Sequence, residues 1–125
     1  MCRWVRRSTP ADAVFLVPPN EQLFRFHAQR AIVVNFKGVP QLSSELGEWR
    51  RRMEAVLGLP LSELPPRFDR AHDAIARRYD ELPAGHLRRA AGQYDARYVL
   101  ANRPLDGLGD AVFESTSCHL YDLAR

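Results

Sequence analysis

Lysine is all but missing: of 18 basic residues only Lys37 is a lysine, and the rest are arginines. Such an excess reads as base composition rather than as a task. The arginines alternate with acids, as where Glu45, Glu48 and Glu54 surround Arg50, Arg51 and Arg52. That mixing lacks the one-sided basic stripe of a nucleic-acid binder, so no nucleic acid is expected as a partner. Cysteine is equally scarce. Cys2 and Cys118 stand at opposite ends with no CxxC spacing, which points to neither a zinc site nor a disulfide framework and leaves their redox state open. No apolar run approaches the roughly 20 residues needed to cross a bilayer, and MCRWVRRSTP has no apolar signal-peptide region, so the chain itself is expected to be soluble. Phosphate cradles are missing too. Neither GxGxxG nor GxxxxGK[ST] occurs, and Pro18-Pro19 stands where such a loop would donate backbone N–H groups. No cofactor is expected.

What is present suits one ordinary globular domain: 125 residues, 46% hydrophobic and 26% charged. Residues 1–12 read as a basic lead-in or tether, with arginines from Arg3 to Arg7 and a turn from Ser8 to Asp12. Residues 13–125 read as a single α/β domain. Ala13 to Val17 is a continuous apolar run stopped by two prolines, the pattern of a short buried strand. Spacings of three and four over Glu21 to Arg30 give a short helix, and Ala31-Ile32-Val33-Val34 gives a second strand, parallel to the first. Leu42, Leu46, Trp49, Met53, Val56 and Leu57 form a helical stripe with Gly58 as its stop. Leu59 to Pro66 is irregular. Helices are expected over Arg67 to Leu82 and then to near Tyr94, a third strand over Ala96 to Ala101, and a closing hairpin from Val112 to Glu114 and Cys118 to Leu123. The expected architecture is a three-layer, Rossmann-like α/β fold: a mostly parallel sheet, helices on both faces, and an antiparallel edge hairpin.

Parallel strands aim their carboxyl ends at a common crevice, so the exits at Pro19-Asn20, Asn35-Phe36-Lys37 and Asn102-Arg103 are the first place to look for a site. There Lys37 offers a point charge, Arg25 or Arg30 a bidentate fork, and Trp49 a stacking face, a set suited to an anion or a sugar. The plainer reading makes Asn35 a loop-backbone partner, Lys37 solvated and Trp49 core. Asp69, His72 and Asp73 share a helical face as surface charge pairing, and no metal site is expected. Ser115-Thr116-Ser117 lacks the GxSxG frame and reads as a turn, and Cys118 and His119, adjacent on a strand, point to opposite faces. No catalytic residue is assigned.

In order and spacing, TPADAVFLVPP, LFRFHAQRAIVVNFKGVP, GEWRRRMEAVLG and YDARYVLANRPL resemble the soluble C-terminal domain of bacterial multi-span membrane proteins of unknown function that are themselves type-C glycosyltransferase-like. Thr9, Pro10, Pro18, Pro19, Arg25, Arg30, Lys37, Pro40, Trp49 and Arg52 carry the likeness. It implies a membrane-associated, extracytoplasmic position with a membrane-spanning region or membrane surface as partner, and it makes Arg3 to Arg7 the tether leaving the last span. Any transferase activity would lie in that missing membrane region. The expected function is thus a non-enzymatic accessory domain contacting an anionic lipid or glycan group through Arg25, Arg30, Asn35, Lys37, Trp49 and Arg52. The alternative is a small stand-alone enzyme or binding protein for a phosphorylated or glycosylated metabolite.

Overall fold

The computed structural model describes residues 1–124. Along the chain run α1 (Cys2–Ser8), β1 (Val14–Leu16), α2 (Phe24–Ala28), β2 (Ala31–Ile32), α3 (Ser43–Leu57), a 3-10 turn (Leu61–Glu63), α4 (Phe68–Glu81), α5 (Ala84–Gln93), β3 (Tyr98–Ala101), β4 (Phe113–Glu114) and β5 (His119–Asp122). Strand periodicity sorts the apolar side chains into two clusters. Phe15, Val17, Tyr98, Leu100 and Leu120 pack with Val5 of α1 and with Phe24 and Ala28 of α2. Their alternates Leu16, Val99, Ala101 and Tyr121 pack with Met53, Val56 and Leu57 of α3, Ile75 and Tyr79 of α4, and Leu87, Ala90 and Ala91 of α5. The Phe15 ring stacks on Tyr98 at 4.7 Å and tilts against Phe24 at 5.2 Å. Tyr79 reaches across to donate its hydroxyl to the Leu100 carbonyl at 2.7 Å, and burial pushes its phenol well up, so it stays a protonated donor.

The sheet corrects the expected architecture. Its strand order is β2-β1-β3-β5-β4. The pairings of β1 with β2 and with β3 are parallel, those of β5 with β3 and with β4 antiparallel, and the β3·β5 ladder is the longest, with four residue pairs. This is a mixed sheet, not the mostly parallel Rossmann-like one expected, although helices do lie on both of its faces. The reason lies in the connections. A parallel neighbour needs a long crossover, and after β3 the chain has only a loop and a hairpin with which to return, so β5 enters antiparallel. The three longest helices, α3, α4 and α5, all fall between β2 and β3 instead of alternating with strands.

The basic stretch at the start is wound into α1, whose Val5 is fully buried and whose Trp4 packs on Phe113 of β4 at 5.7 Å. The helix α3 ends as its sequence suggests: Gly58 adopts the left-handed region at φ 69 and donates its N–H to the Glu54 carbonyl at 2.8 Å. At that end Arg78 donates to the Leu57 carbonyl at 2.7 Å, while a His86 ring nitrogen lies 2.9 Å from the Val56 carbonyl oxygen. The opposite end is different. Of the expected stripe only Met53, Val56 and Leu57 are buried, whereas Leu42 is 63% and Leu46 43% exposed. α3 therefore overhangs the core by two turns.

The overhang sets a contrast that urea denaturation measures. Met53→Ala leaves a cavity in the buried half and is expected to cost about 2–5 kcal/mol. Leu42→Ala, at the exposed start of the overhang, is expected to stay within about 0.5 kcal/mol of wild type. Equal costs would place Leu42 in the core and refute the overhang.

Candidate cleft beside the edge strand

β2 lies at the edge of the sheet, and the chain leaving it is held by a succession of backbone bonds. Val33 N–H donates to the Phe15 carbonyl at 3.0 Å and Phe36 N–H to the Pro19 carbonyl at 2.7 Å, so the exit stays pinned beside the end of β1. Asn35 then turns the chain: its Oδ1 accepts Gly38 N–H at 2.6 Å. A Cβ at Gly38 would collide with that same oxygen, so any other residue there would displace the Asn35 side chain from this bond. Next, α3 crosses the exit and clamps it from one face. Trp49 Nε1 donates to the Asn35 carbonyl at 2.9 Å, and Arg52, three residues on, donates to the Val33 carbonyl at 3.1 Å. Arg25 of α2 closes the other side. Between them lies an open cleft of about 220 Å³ lined by Arg25, Ile32 to Asn35, Gly38, Pro40, Trp49 and Arg52.

The two guanidinium groups of the cleft differ in how far they are committed. Arg52 also donates to Glu48 Oε1 at 3.0 Å and lies 4.7 Å above the ring centre of Tyr94. Hydrogen bonds from Arg52 first and Arg51 second hold the Glu48 carboxyl below the usual carboxylate range. A depressed carboxylate contributes its stabilisation above its unfolded value and loses it as pH falls through the folded one. Acid therefore releases Arg52, and at neutral pH Glu48 balances it. Arg25 has no ion-pair partner among the described residues.

Four of the six residues singled out in the sequence, Arg25, Asn35, Trp49 and Arg52, meet here. The other two stand apart. Arg30 is buried and caps the end of α1: its Nε donates to Thr9 Oγ1 at 3.1 Å, and its Nη2 reaches the carbonyls of Thr9 at 3.0 Å and Arg6 at 3.1 Å. These are the carbonyls a helix leaves unbonded, and a cation there also faces the negative end of the helix dipole. Lys37 lies outside the cleft with its ammonium 3.4 Å from Gln22 Oε1. Nor does the exit of β3 converge on the cleft. Asn102 donates to Asp80 Oδ1 at 3.0 Å, and Arg103 donates to the Asp80 and Leu82 carbonyls at the end of α4. His72 faces the Asn20 carbonyl at 3.2 Å, and among the described residues no group of three or more His, Cys, Asp or Glu is placed to hold a metal ion.

Sequence reasoning missed the apolar surroundings. Phe36 stacks between Trp49 at 6.3 Å and Phe68 at 5.3 Å, and Phe68 is 54% exposed. On the far side of Trp49 a second hollow, about 440 Å³, is lined by Leu46, Arg50, Leu61 and Ser62. Phe26, next to Arg25 on α2, is 78% exposed, and Leu23 and Val39 are exposed as well. The signal was the length of the α3 stripe, longer than one core face needs.

Residues 1–56 match a family model described as a domain of unknown function (DUF6798). That region contains α1 through most of α3, and with them every residue lining the cleft. No curated protein and no solved structure matches the chain. Among the described residues no helix is long and apolar enough to cross a membrane.

The assignment of Arg30 to the scaffold is open to direct measurement. Arg30→Met removes the donors to Thr9 and to the last carbonyls of α1 and is expected to lower unfolding stability by on the order of 3 kcal/mol. Arg25→Met, in the cleft, should change stability by less than about 0.5 kcal/mol. If denaturation midpoints for Arg30→Met and wild type coincide, the capping role is wrong.

Proposed function

We propose that the chain is a non-enzymatic accessory domain of a bacterial membrane protein, working at the extracytoplasmic membrane surface, and that its cleft takes the anionic headgroup of a lipid. The observation that carries this reading is a cleft cation, Arg25, that has no ion-pair partner among the described residues and is followed on its helix by the exposed Phe26, while the hollow sharing Trp49 with the cleft is lined by the exposed Leu46. A surface that must meet acyl chains and headgroups together needs this mixture, apolar side chains to enter the boundary and cations to meet phosphate. Single exposed apolar side chains are ordinary on a soluble protein, whereas contiguous exposed ones mark interaction sites. The sequence likeness to domains of multi-span membrane proteins supports the same setting.

The size and shape of the cleft favour a headgroup over a free metabolite. Pockets that enclose small molecules run to about 300–1,000 Å³ and bury most of the ligand, whereas this one is smaller and open along the edge of the sheet. A phosphate bearing a small alcohol fits, with its tail left outside. Arg25 supplies a planar fork to the phosphate oxygens, and Arg52, half balanced by Glu48, supplies the second charge. Trp49 presents ring surface beside it, backed by Phe36, and indole is at home in the headgroup layer.

Co-sedimentation with vesicles tests the reading. Vesicles containing phosphatidylglycerol should bind the protein and pure phosphatidylcholine vesicles should not, with binding weakened by salt. Arg25→Ala is expected to weaken binding about fivefold, the worth of one guanidinium near an anionic surface. Glu48→Gln, which frees Arg52, is expected to strengthen it about two- to fivefold. Indifference to phosphatidylglycerol, or a Glu48→Gln variant that binds more weakly, would refute the headgroup role. Heat released with free glycerol phosphate but not with vesicles would move the ligand to a soluble phosphorylated metabolite.

A further inference from the structure

The only two cysteines of the chain, Cys2 and Cys118, start at opposite ends of the sequence and finish against the same apolar cluster, near enough for the Cys118 charge to act on the Cys2 thiol. Cys2 opens α1 and Cys118 stands in the turn that leads into β5. Both are half-buried free thiols packed against the same apolar cluster, the one that holds Val5, Phe15 and Leu120. Two contacts tie their neighbourhoods together. Trp4, two residues after Cys2, packs on Phe113 of β4 at 5.7 Å. Phe113 lies opposite Leu120 in the β4·β5 ladder, two residues past Cys118, and the hairpin closes with Ser115 N–H donating to the Cys118 carbonyl at 2.9 Å. The turn also places Ser115 Oγ 3.2 Å from Cys118 Sγ.

We infer that Cys2 and Cys118 form an intramolecular disulfide when a disulfide oxidant is present, stapling α1 to the β4–β5 hairpin. The α1 segment is anchored by one buried side chain, Val5, and by the Arg30 cap, so its first turn has room to adjust to the bond geometry. The chemistry is thiol–disulfide exchange with a small disulfide such as oxidised glutathione. One cysteine thiolate attacks the glutathione S–S bond and expels one glutathione thiolate. The second cysteine thiolate then attacks the mixed disulfide and expels the other. Two protein thiols are oxidised, one glutathione disulfide is reduced to two thiols, and the two protons end on those thiols. Burial is the first cause pushing the Cys2 thiol up, and the Cys118 charge adds to it, so the exchange quickens as pH rises toward the thiol range. The staple would close nearly the whole chain into one loop, the arrangement in which a crosslink restrains the unfolded state most. It does not involve the cleft, so its fate and that of the headgroup reading are independent.

The full chain, reduced and then incubated with oxidised glutathione at about pH 9, provides the test. Intact mass should fall by the two hydrogens lost, non-reducing peptide mapping should yield the Cys2 peptide joined to the Cys118 peptide, and neither thiol should then react with iodoacetamide. The thermal midpoint should rise by on the order of 10 °C over the reduced protein. Cys118→Ser, which keeps the hairpin small and polar, should show neither the crosslink nor the rise. Stable glutathione adducts on the separate thiols, dimers joined between chains, or two thiols that stay alkylatable would each overturn the staple.

Discussion

β1 and β3 are apolar on both faces, and that double burial is the constraint from which the rest of the molecule follows. A strand of this kind needs cover above and below, because each face left wet forfeits roughly 25 cal/mol per Å² of apolar surface. The chain provides it unequally. One face receives α3, α4 and α5, the other only α1 and the five-residue α2. So slight a cover depends on its anchors, and this is why Arg30 is spent on holding α1: it gives the end of a seven-residue helix a set of charge-assisted bonds that the helix cannot make for itself.

The cleft is a by-product of the same arrangement. Because β2 stands at the edge, the chain leaving it has a neighbour on one side only, and α3 supplies the other by laying Trp49 and Arg52 over the Asn35 and Val33 carbonyls. That crossing fixes where α3 sits, and its length then carries Leu42 and Leu46 beyond the core. An arginine with no ion-pair partner among the described residues and a tryptophan with its N–H occupied thus line one cleft through backbone geometry.

The local code was plain to read and the long-range code was not. The apolar run before Pro18-Pro19, the stripe from Leu42 to Leu57 and the Gly58 stop each follow from a few neighbouring residues, and the elements lie where those residues put them. The closing hairpin was legible too, from the alternation over His119 to Leu123; its pairing beside β3, which makes the sheet mixed, depends on which partner the hairpin meets, and no local pattern encodes that. Arg30 and Lys37 show the limit most clearly. Both are cations beside the second strand, and only the carbonyls at the end of α1, 21 and 24 residues distant in sequence, decide that one is buried scaffold and the other a surface group. α1 itself has a single buried side chain, too few to make a period.

Trp49 stands inside the region assigned to the headgroup, and only one other tryptophan, Trp4, is present, on the opposite cluster. In a Trp4→Phe protein Trp49 is the sole indole reporter, and its fluorescence quenching by brominated lipids in anionic vesicles measures how near the cleft comes to the acyl boundary. The account predicts a blue shift with strong quenching that vanishes in neutral vesicles. Emission identical with and without anionic lipid would contradict it.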